Sequence, residues 1–457
     1  MAITIITNAV IINEGKTFNG CVAIEEDRFI YIGETMPEYT DAFIIDAEGK
    51  YLIPGVIDGQ VHFRDPGVTH KADMESESKA AVAGGVTSYI DMPNSRPNVL
   101  NHQVWQAKNA LAATKSLANY DFYMGLNNDN VDALLDTDTT GYSCLSDDGL
   151  YFAGPGNLLA DSEETLDKIF SKSKNIIAIH AEIEGIIHEN EQKFKAEYGE
   201  DVPVKFHPII RSEEACVKAT ERAIRLAKKH NARLHVLHLT TAKEAAMFRN
   251  DIPLEEKRIT TEASVHHLWF NDSDYEEKGT LIKWNPAIKT EQDRLGLIAA
   301  INDDRIDIIT TDHAPHTLEE KQNTYFKAMS GGPFVQHSLV AMIELHQQGY
   351  LTLEKIVEKM CHNPALLYGF KDRGYIRHGY KADFTLVDMD SPWTVSKDNI
   401  LYKCGWSPVE GQTFRAQVKQ TYVNGHKVFD NGEFDTSKKG EQLELLPWEE
   451  RTYVKNA

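Results

Sequence analysis

The chain has 457 residues, with 48 Lys plus Arg against 69 Asp plus Glu, a formal charge of −21. With 42% apolar and 9% aromatic residues it can bury a full core, which excludes disorder. The acidic excess, with no basic run, excludes a phosphate-backbone binder. At about 150 residues per domain the length predicts two or three domains, unless one large barrel takes most of the chain.

The five cysteines (Cys21, Cys144, Cys216, Cys361, Cys404) are scattered and show no CxxC spacing. They form neither a disulfide framework nor a thiolate metal site, and point to a reducing cytoplasm. No stretch approaches the roughly 20 apolar residues of a membrane span, and the N-terminus lacks a basic n-region and a cleavage site.

In chain order, residues 1–53 read as a short β meander, with runs such as ITIITNAVII and CVAIEEDRFIYIGE broken by Asn and Gly. The middle alternates strand-like and helical patterns. Eight candidate strands follow: Ile53–His62, Val86–Met92, Tyr120–Leu126, Gly141–Asp147, Asn175–His180, Arg233–Leu239, Arg258–Ala263 and Arg305–Thr311. Helical patterns lie between them at Met74–Ala83, Glu163–Phe170, Glu213–His230 and Glu291–Ile301. Strand–helix alternation over about 310 residues is the size of a TIM barrel with insertions. The tail is again β-rich, at Ala382–Asp388 and at Gln417–Phe429, where Asn-Gly signals a hairpin. The expected architecture is α/β, a (β/α)₈ barrel over 54–374, with a small β-rich domain built from 1–53 plus 375–457.

Polar residues gather where the apolar runs stop: DGQVHFRDPG, DMPN, SDDG, HAE, HLT and TTDHAPH. Barrel active sites sit at the C-terminal ends of strands, so this recurrence predicts one convergent site. Gln60, His62 and Arg64 share a face by strand alternation. His180 and His238 each follow an apolar strand, and Asp312 closes the last. His235, His266 and His267 read as structural, and His313 points the other way along its strand. Together His62, His180, His238 and Asp312 form a nitrogen and oxygen donor set that suits Zn²⁺, with Mn²⁺ or Co²⁺ as possible replacements. No GxGxxG or GxxxxGK[ST] loop appears. Metal-assisted hydrolysis therefore leads on the residues alone.

These motifs, with WNPAIKTEQDRLGL, EEK at 319–321 and SGGPFVQHSL at 330–339, resemble the cyclic-amidohydrolase branch of the amidohydrolase superfamily, and most specifically the dihydroorotases. The resemblance covers nearly the whole chain. It implies reversible ring closure of N-carbamoyl-L-aspartate to L-dihydroorotate, a small-molecule reaction of pyrimidine synthesis, with no nucleic-acid or membrane partner and with a homodimer compatible. By the same resemblance Arg64, Asn94 and His316 hold the substrate carboxylate and Asn285 contacts the ring. A metal-activated hydroxide attacks the amide carbonyl, and Asp312 carries the proton to the leaving nitrogen. Arg64 separates the sequence from allantoinase-like members, which carry Asn there.

Two departures stand out. The family's His-x-His is Gln60-x-His62 here, and no Lys lies between Lys115 and Lys168 to serve as a carbamylated bridge. Asp148, with Asp147 second, is the candidate bridge. One metal position then has His62, Asp312 and Asp148; the other has Asp148, His180 and His238 and is expected to be tighter, with one or two ions in all. The alternatives are a hydantoinase-like or allantoinase-like cyclic amidase, or a metal-poor non-catalytic homologue acting as a structural subunit.

Overall fold

The computed structural model describes residues 3–150, 159 and 162–451. The N-terminal strands Ile3–Asn13, Lys16–Glu25 and Arg28–Gly33 run antiparallel in sequence order. On its other side Ile3–Asn13 meets Tyr51–Pro54, which pairs antiparallel with Phe384–Asp388. The sheet continues into Gln417–Val423 and His426–Asp430. Strands from both ends of the chain thus share one sheet. The Asn-Gly signal sits where it was expected: Asn424 (φ 49°) and Gly425 (φ 73°) both take left-handed backbone and turn between those last two strands. A side chain at 425 would also meet the Glu26 carbonyl oxygen at 2.2 Å.

The middle forms a barrel of parallel strands. They are Val56–Val61, Val86–Asp91, Asn119–Phe122 continuing as Met124–Gly125, Leu145–Ser146, Ile176–Ile179, Arg233–Val236, Ile259–Ser264 and Ile308–Thr310. Each pairs with the next, and the His62 N–H donates to the His313 carbonyl at 2.8 Å, joining the first strand to the end of the eighth. All eight expected strands are found, most of them shorter than expected, such as Arg233–Val236 and Ile308–Thr310, and three depart in form. The run expected from Ile53 to His62 is two strands: Gly55 donates to Asp383 in the terminal sheet, while Val56 donates to Gly85 beside the barrel. The chain changes sheets across that single step. The third strand breaks at Tyr123, and the fourth, in GYSCLSD, is two residues long.

The helices start and stop on local chemistry. Asp73 and Ser76 form a reciprocal capping box at the start of Met74–Ala83, as do Thr290 and Asp293 before Glu291–Asn302. Glu213–His230 is capped by Ser212, carries Glu213 and Glu214 in its first turn and Lys228, Lys229 and His230 in its last, and ends on left-handed Asn231. Inside the barrel Ile57, Ile90, Tyr123, Ile176, Leu237 and Ile308 belong to one buried cluster with Tyr368. Truncating one of its large aliphatic side chains to Ala costs about 2–5 kcal/mol. Past the barrel, Trp406 donates its indole N–H to the His316 carbonyl at 2.8 Å, so the segment around Trp406 reaches the loop after the eighth strand.

Candidate metal centre at the C-terminal ends of the barrel strands

Every strand end named from the sequence delivers its side chain to the same place. His62 follows the first strand, Asp148 the fourth, His180 the fifth, His238 the sixth and Asp312 the eighth, and all five are buried. Their donor atoms fall into two triads, His62–Asp148–Asp312 and Asp148–His180–His238, each with all atoms within 4.8 Å of one another. Asp148 belongs to both. His62 Nε2 lies 3.1 Å from Asp312 Oδ1 and 3.3 Å from Asp148 Oδ2. His180 Nδ1 lies 3.5 Å from Asp148 Oδ1 and 3.1 Å from His238 Nε2.

The backbone bends to achieve this. Arg64 (φ 64°), His238 (φ 34°) and Asp312 (φ 46°) all hold left-handed conformations that non-glycine residues seldom adopt. Strain of this kind, of order 1–3 kcal/mol per residue, persists at functional sites because the surrounding packing enforces it.

Of the two adjacent acids, Asp147 is occupied elsewhere. Its carboxylate accepts from the backbone N–H of His180 at 3.0 Å and of Leu159 at 2.7 Å, which pins the neighbouring strand. Asp148 alone faces the centre. Gly149 follows it with φ 71°, and a side chain there would meet the Asn94 amide at 2.2 Å. Asp-Gly is therefore a turn and also a seat for Asn94.

Gln60 donates from Nε2 to Asp148 Oδ2 at 3.0 Å, while its Oε1 is buried without a hydrogen-bond partner among the described residues. The Asn94 carbonyl oxygen lies 3.0 Å from His62 Nδ1, so Nδ1 carries the proton and Nε2 turns a lone pair to the centre. In the same way His180 Nε2 is bonded to Glu182 at 2.7 Å, leaving Nδ1 as the inward donor. Glu182 is fully buried and accepts twice from Arg211 Nε, at 3.0 and 3.1 Å, and again from Nη2.

The electrostatics fit a cation. Burial opposes a charged His62, but Asp148 and Asp312 outweigh it and hold its pKa up at about 9. Burial likewise works against a charged His180, yet Asp148 and Glu182 raise it to about 9. Asp148, despite burial, is held well below the usual carboxylate range by His180, His238 and His62, whereas burial lifts Asp312 above it. Lone pairs and carboxylates converge so tightly that protons or a metal must sit among them, and the nitrogen and oxygen donors suit a divalent transition metal.

Beside the centre lies a cavity of 20 Å³, room for about one water, lined by His62, Arg64, Asn94, Asp148, Trp284, Asn285 and Asp312 among others. A ring-sized ligand requires this wall to shift. Arg64 donates to the Pro315 carbonyl and to His316 Nε2, each at 3.2 Å, and among the described residues no carboxylate pairs with it. While His316 Nε2 faces Arg64, its Nδ1 faces Lys71 Nζ at 3.0 Å and a Glu320 carboxylate oxygen at 3.4 Å. Asn285, beyond the seventh strand, keeps Oδ1 buried and, among the described residues, unpartnered. A larger cavity of 610 Å³ opens among Lys257, Asp304, Asp307 and Lys359; those lysines are paired with carboxylates, and none of the centre's residues line it.

The histidines set aside from the sequence have other partners. His235 bonds Thr260 and Glu262, His313 bonds Glu77, His267 bonds the Pro286 carbonyl, and His266 stacks on Trp284. Sequence reasoning missed Arg211, Lys71 and Lys321. Glu182 stood in the HAE motif, two residues after His180, and was given no role.

Residues 51–428 match the model of the amidohydrolase family. The chain belongs to that family. Its members are in general metal-dependent hydrolases, and the two triads are this amidohydrolase's candidate metal ligands. A dihydroorotase of Pyrococcus furiosus is 31% identical, over 94% of this chain and 93% of its own. An allantoinase of Bacillus velezensis is 27% identical over 94% of both chains. The solved L-hydantoinase (dihydropyrimidinase) of Arthrobacter aurescens shares the fold, with a TM-score of 0.88 at 24% identity, over 96% of this chain and 98% of its own. The barrel with its β-rich companion is thus the family architecture. No described helix is long and apolar enough to cross a membrane.

Proposed function

We propose that this amidohydrolase is a dihydroorotase of the cytoplasm, interconverting N-carbamoyl-L-aspartate and L-dihydroorotate. The observation that carries the reading is Arg64: a guanidinium facing the cavity, pushed down in pKa by desolvation, with no carboxylate of the described residues at ion-pair distance, Asp312, Asp91, Glu320 and Asp148 acting on it only from further away. A half-buried cation of this kind calls for an anion from outside, and dihydroorotate brings one carboxylate. Hydantoin and allantoin rings bring none. Dihydroorotases about 30% identical over most of the chain agree with this choice.

In this reading the metal ligands are His62, Asp148, His180, His238 and Asp312, and the ion is Zn²⁺. When bound it supplies Lewis acidity and lowers the pKa of water. Arg64 and His316 hold the carboxylate. Asn94 commits its oxygen to His62, so its NH₂ is free to donate to the same anion. Asn285 Oδ1 accepts from a ring N–H. In hydrolysis the water oxygen bonds to the ring amide carbon, Asp312 takes up the proton, the C–N bond breaks, and Asp312 returns the proton to the departing nitrogen. Cyclisation runs the same path backwards. Residues 1–53 and 375–457 act as one composite β-rich domain on the 54–374 barrel.

Steady-state assays on dihydroorotate, hydantoin and allantoin, with Zn²⁺ or Mn²⁺ supplied, test the proposal. Turnover of dihydroorotate in preference to the others is expected. Preference for a ring without a carboxylate would replace the reading with a hydantoinase-like or allantoinase-like one. No turnover of any ring would leave a structural homologue.

A further inference from the structure

Lys321 is completely buried, yet no carboxylate among the described residues pairs with it. Its ammonium donates instead to three backbone carbonyls: Gly331 at 2.7 Å, Met329 at 2.9 Å and Lys283 at 3.1 Å. It also lies over the faces of Trp284 and Trp406, 5.8 and 6.0 Å from the ring centres. Burying an ammonium is costly unless its donors are filled, and here all three are spent on main chain. The three carbonyls belong to two separate segments. One ends in Trp284 and Asn285; the other contains Ser330 and Gly331. Both line the cavity beside the centre. Gly331 in turn donates its N–H to the Lys283 carbonyl at 2.9 Å, so the segments are stitched together around this one side chain. Lys321 closes the short helix Leu318–Lys321, whose first turn holds Glu320, the partner of Lys71 and His316.

We propose that Lys321 is a positioning residue for the ring-binding half of the site: its three main-chain bonds hold Asn285 and the 330–331 backbone at the distance from Arg64 and Asp312 that a cyclic ureide needs. This rests on the ring-binding role of Asn285 given above. The side chain touches neither substrate nor metal. It acts through Asn285, whose buried Oδ1 has no partner among the described residues and therefore depends on its segment being held still to meet a ring N–H.

The test is Lys321→Met, Asn285→Ala and the double variant, with Lys321→Gln as the milder change that keeps two N–H donors. They are assayed on whichever of dihydroorotate, hydantoin and allantoin the parent enzyme turns over, so failure of the substrate assignment is seen separately. Metal content and amide hydrogen exchange are measured in parallel. Lys321→Met is expected to raise KM about 10-fold or more with a smaller fall in kcat. Metal content should be unchanged, exchange should be faster at 283–285 and 329–332, and the further loss on adding Asn285→Ala should be small. Lys321→Gln should fall between, and carries the test if the Met variant does not fold. Unchanged exchange in those segments, loss of metal, or KM effects that multiply independently with Asn285→Ala would overturn the proposal. If no ring is turned over, the exchange pattern alone decides it.

Discussion

His180 turns Nδ1 toward the centre because its Nε2 is bonded to Glu182 at 2.7 Å. A ring nitrogen tied to a buried carboxylate cannot rotate away, and the tautomer is fixed with it. Glu182 is itself held by Arg211, so a side chain outside the ligand set decides which atom of His180 is offered.

Removing that constraint is expected to weaken the metal before it disturbs the fold. Glu182→Gln keeps the shape but gives up the charge. It should lower metal affinity about 10- to 100-fold. Competition with a chelator of known affinity measures this, and an unchanged affinity would show that the Glu182 contact does not matter.

Gln60 presents an N–H, not a lone pair, to Asp148, and so disfavours a cation at the His62–Asp148–Asp312 position. Wild-type protein is expected to hold one tight ion per chain, at Asp148–His180–His238. Gln60→His should raise the stoichiometry toward two, as read by elemental analysis after dialysis. Two tight ions in the wild type would contradict this.

Arg64 and His238 separate substrate binding from metal binding. Arg64→Ala is expected to leave metal content intact and to raise KM roughly 100-fold, about 3 kcal/mol, the scale for removing one partner of a buried charge pair. His238→Ala should lose metal. If Arg64→Ala binds substrate as the parent does, the carboxylate assignment is wrong.

Asp121 is buried, and desolvation, only partly offset by Ser143, the Phe122 N–H and Arg451, raises its pKa to about 6. A carboxyl whose folded pKa lies above its unfolded value near 3.8 contributes stability below that value, and the contribution fades as pH rises through about 6. Asp121→Asn should therefore gain relative to wild type between pH 5 and pH 8, by about 1.4 kcal/mol, since about one pH unit of the shift is still to be lost at pH 5. Thermal unfolding at both pH values is the measurement. A difference that does not change with pH would show that Asp121 titrates normally.

Much of the fold was legible from periodicity. The eight strands, the helix Glu213–His230 and the Asn-Gly hairpin follow from local patterns that survive in one dimension, whereas the helices His102–Lys115 and Glu184–Tyr198 were not picked out. The switch of sheets at Gly55 was not legible, because both halves of that run are apolar and only their partners differ. His62, Arg64, Asp148, His180, His238 and Asp312 could be picked out because each ends an apolar run. His235 and His238, three residues apart, have different partners, and alternation along a strand foresaw that.

Taken by itself, the sequence determined which side chains stand at the strand ends, because alternation and strand length are local properties. It also determined that a −21 chain needs a cation of its own if it is to hold an anion. Only the tertiary structure decided which atoms face each other. That Asp148 and not Asp147 joins the triads, that Glu182 sets the tautomer of His180, and that Lys321 laces two distant segments all depend on contacts between residues far apart in the chain. No local pattern encodes such contacts, since they exist only once the barrel has closed.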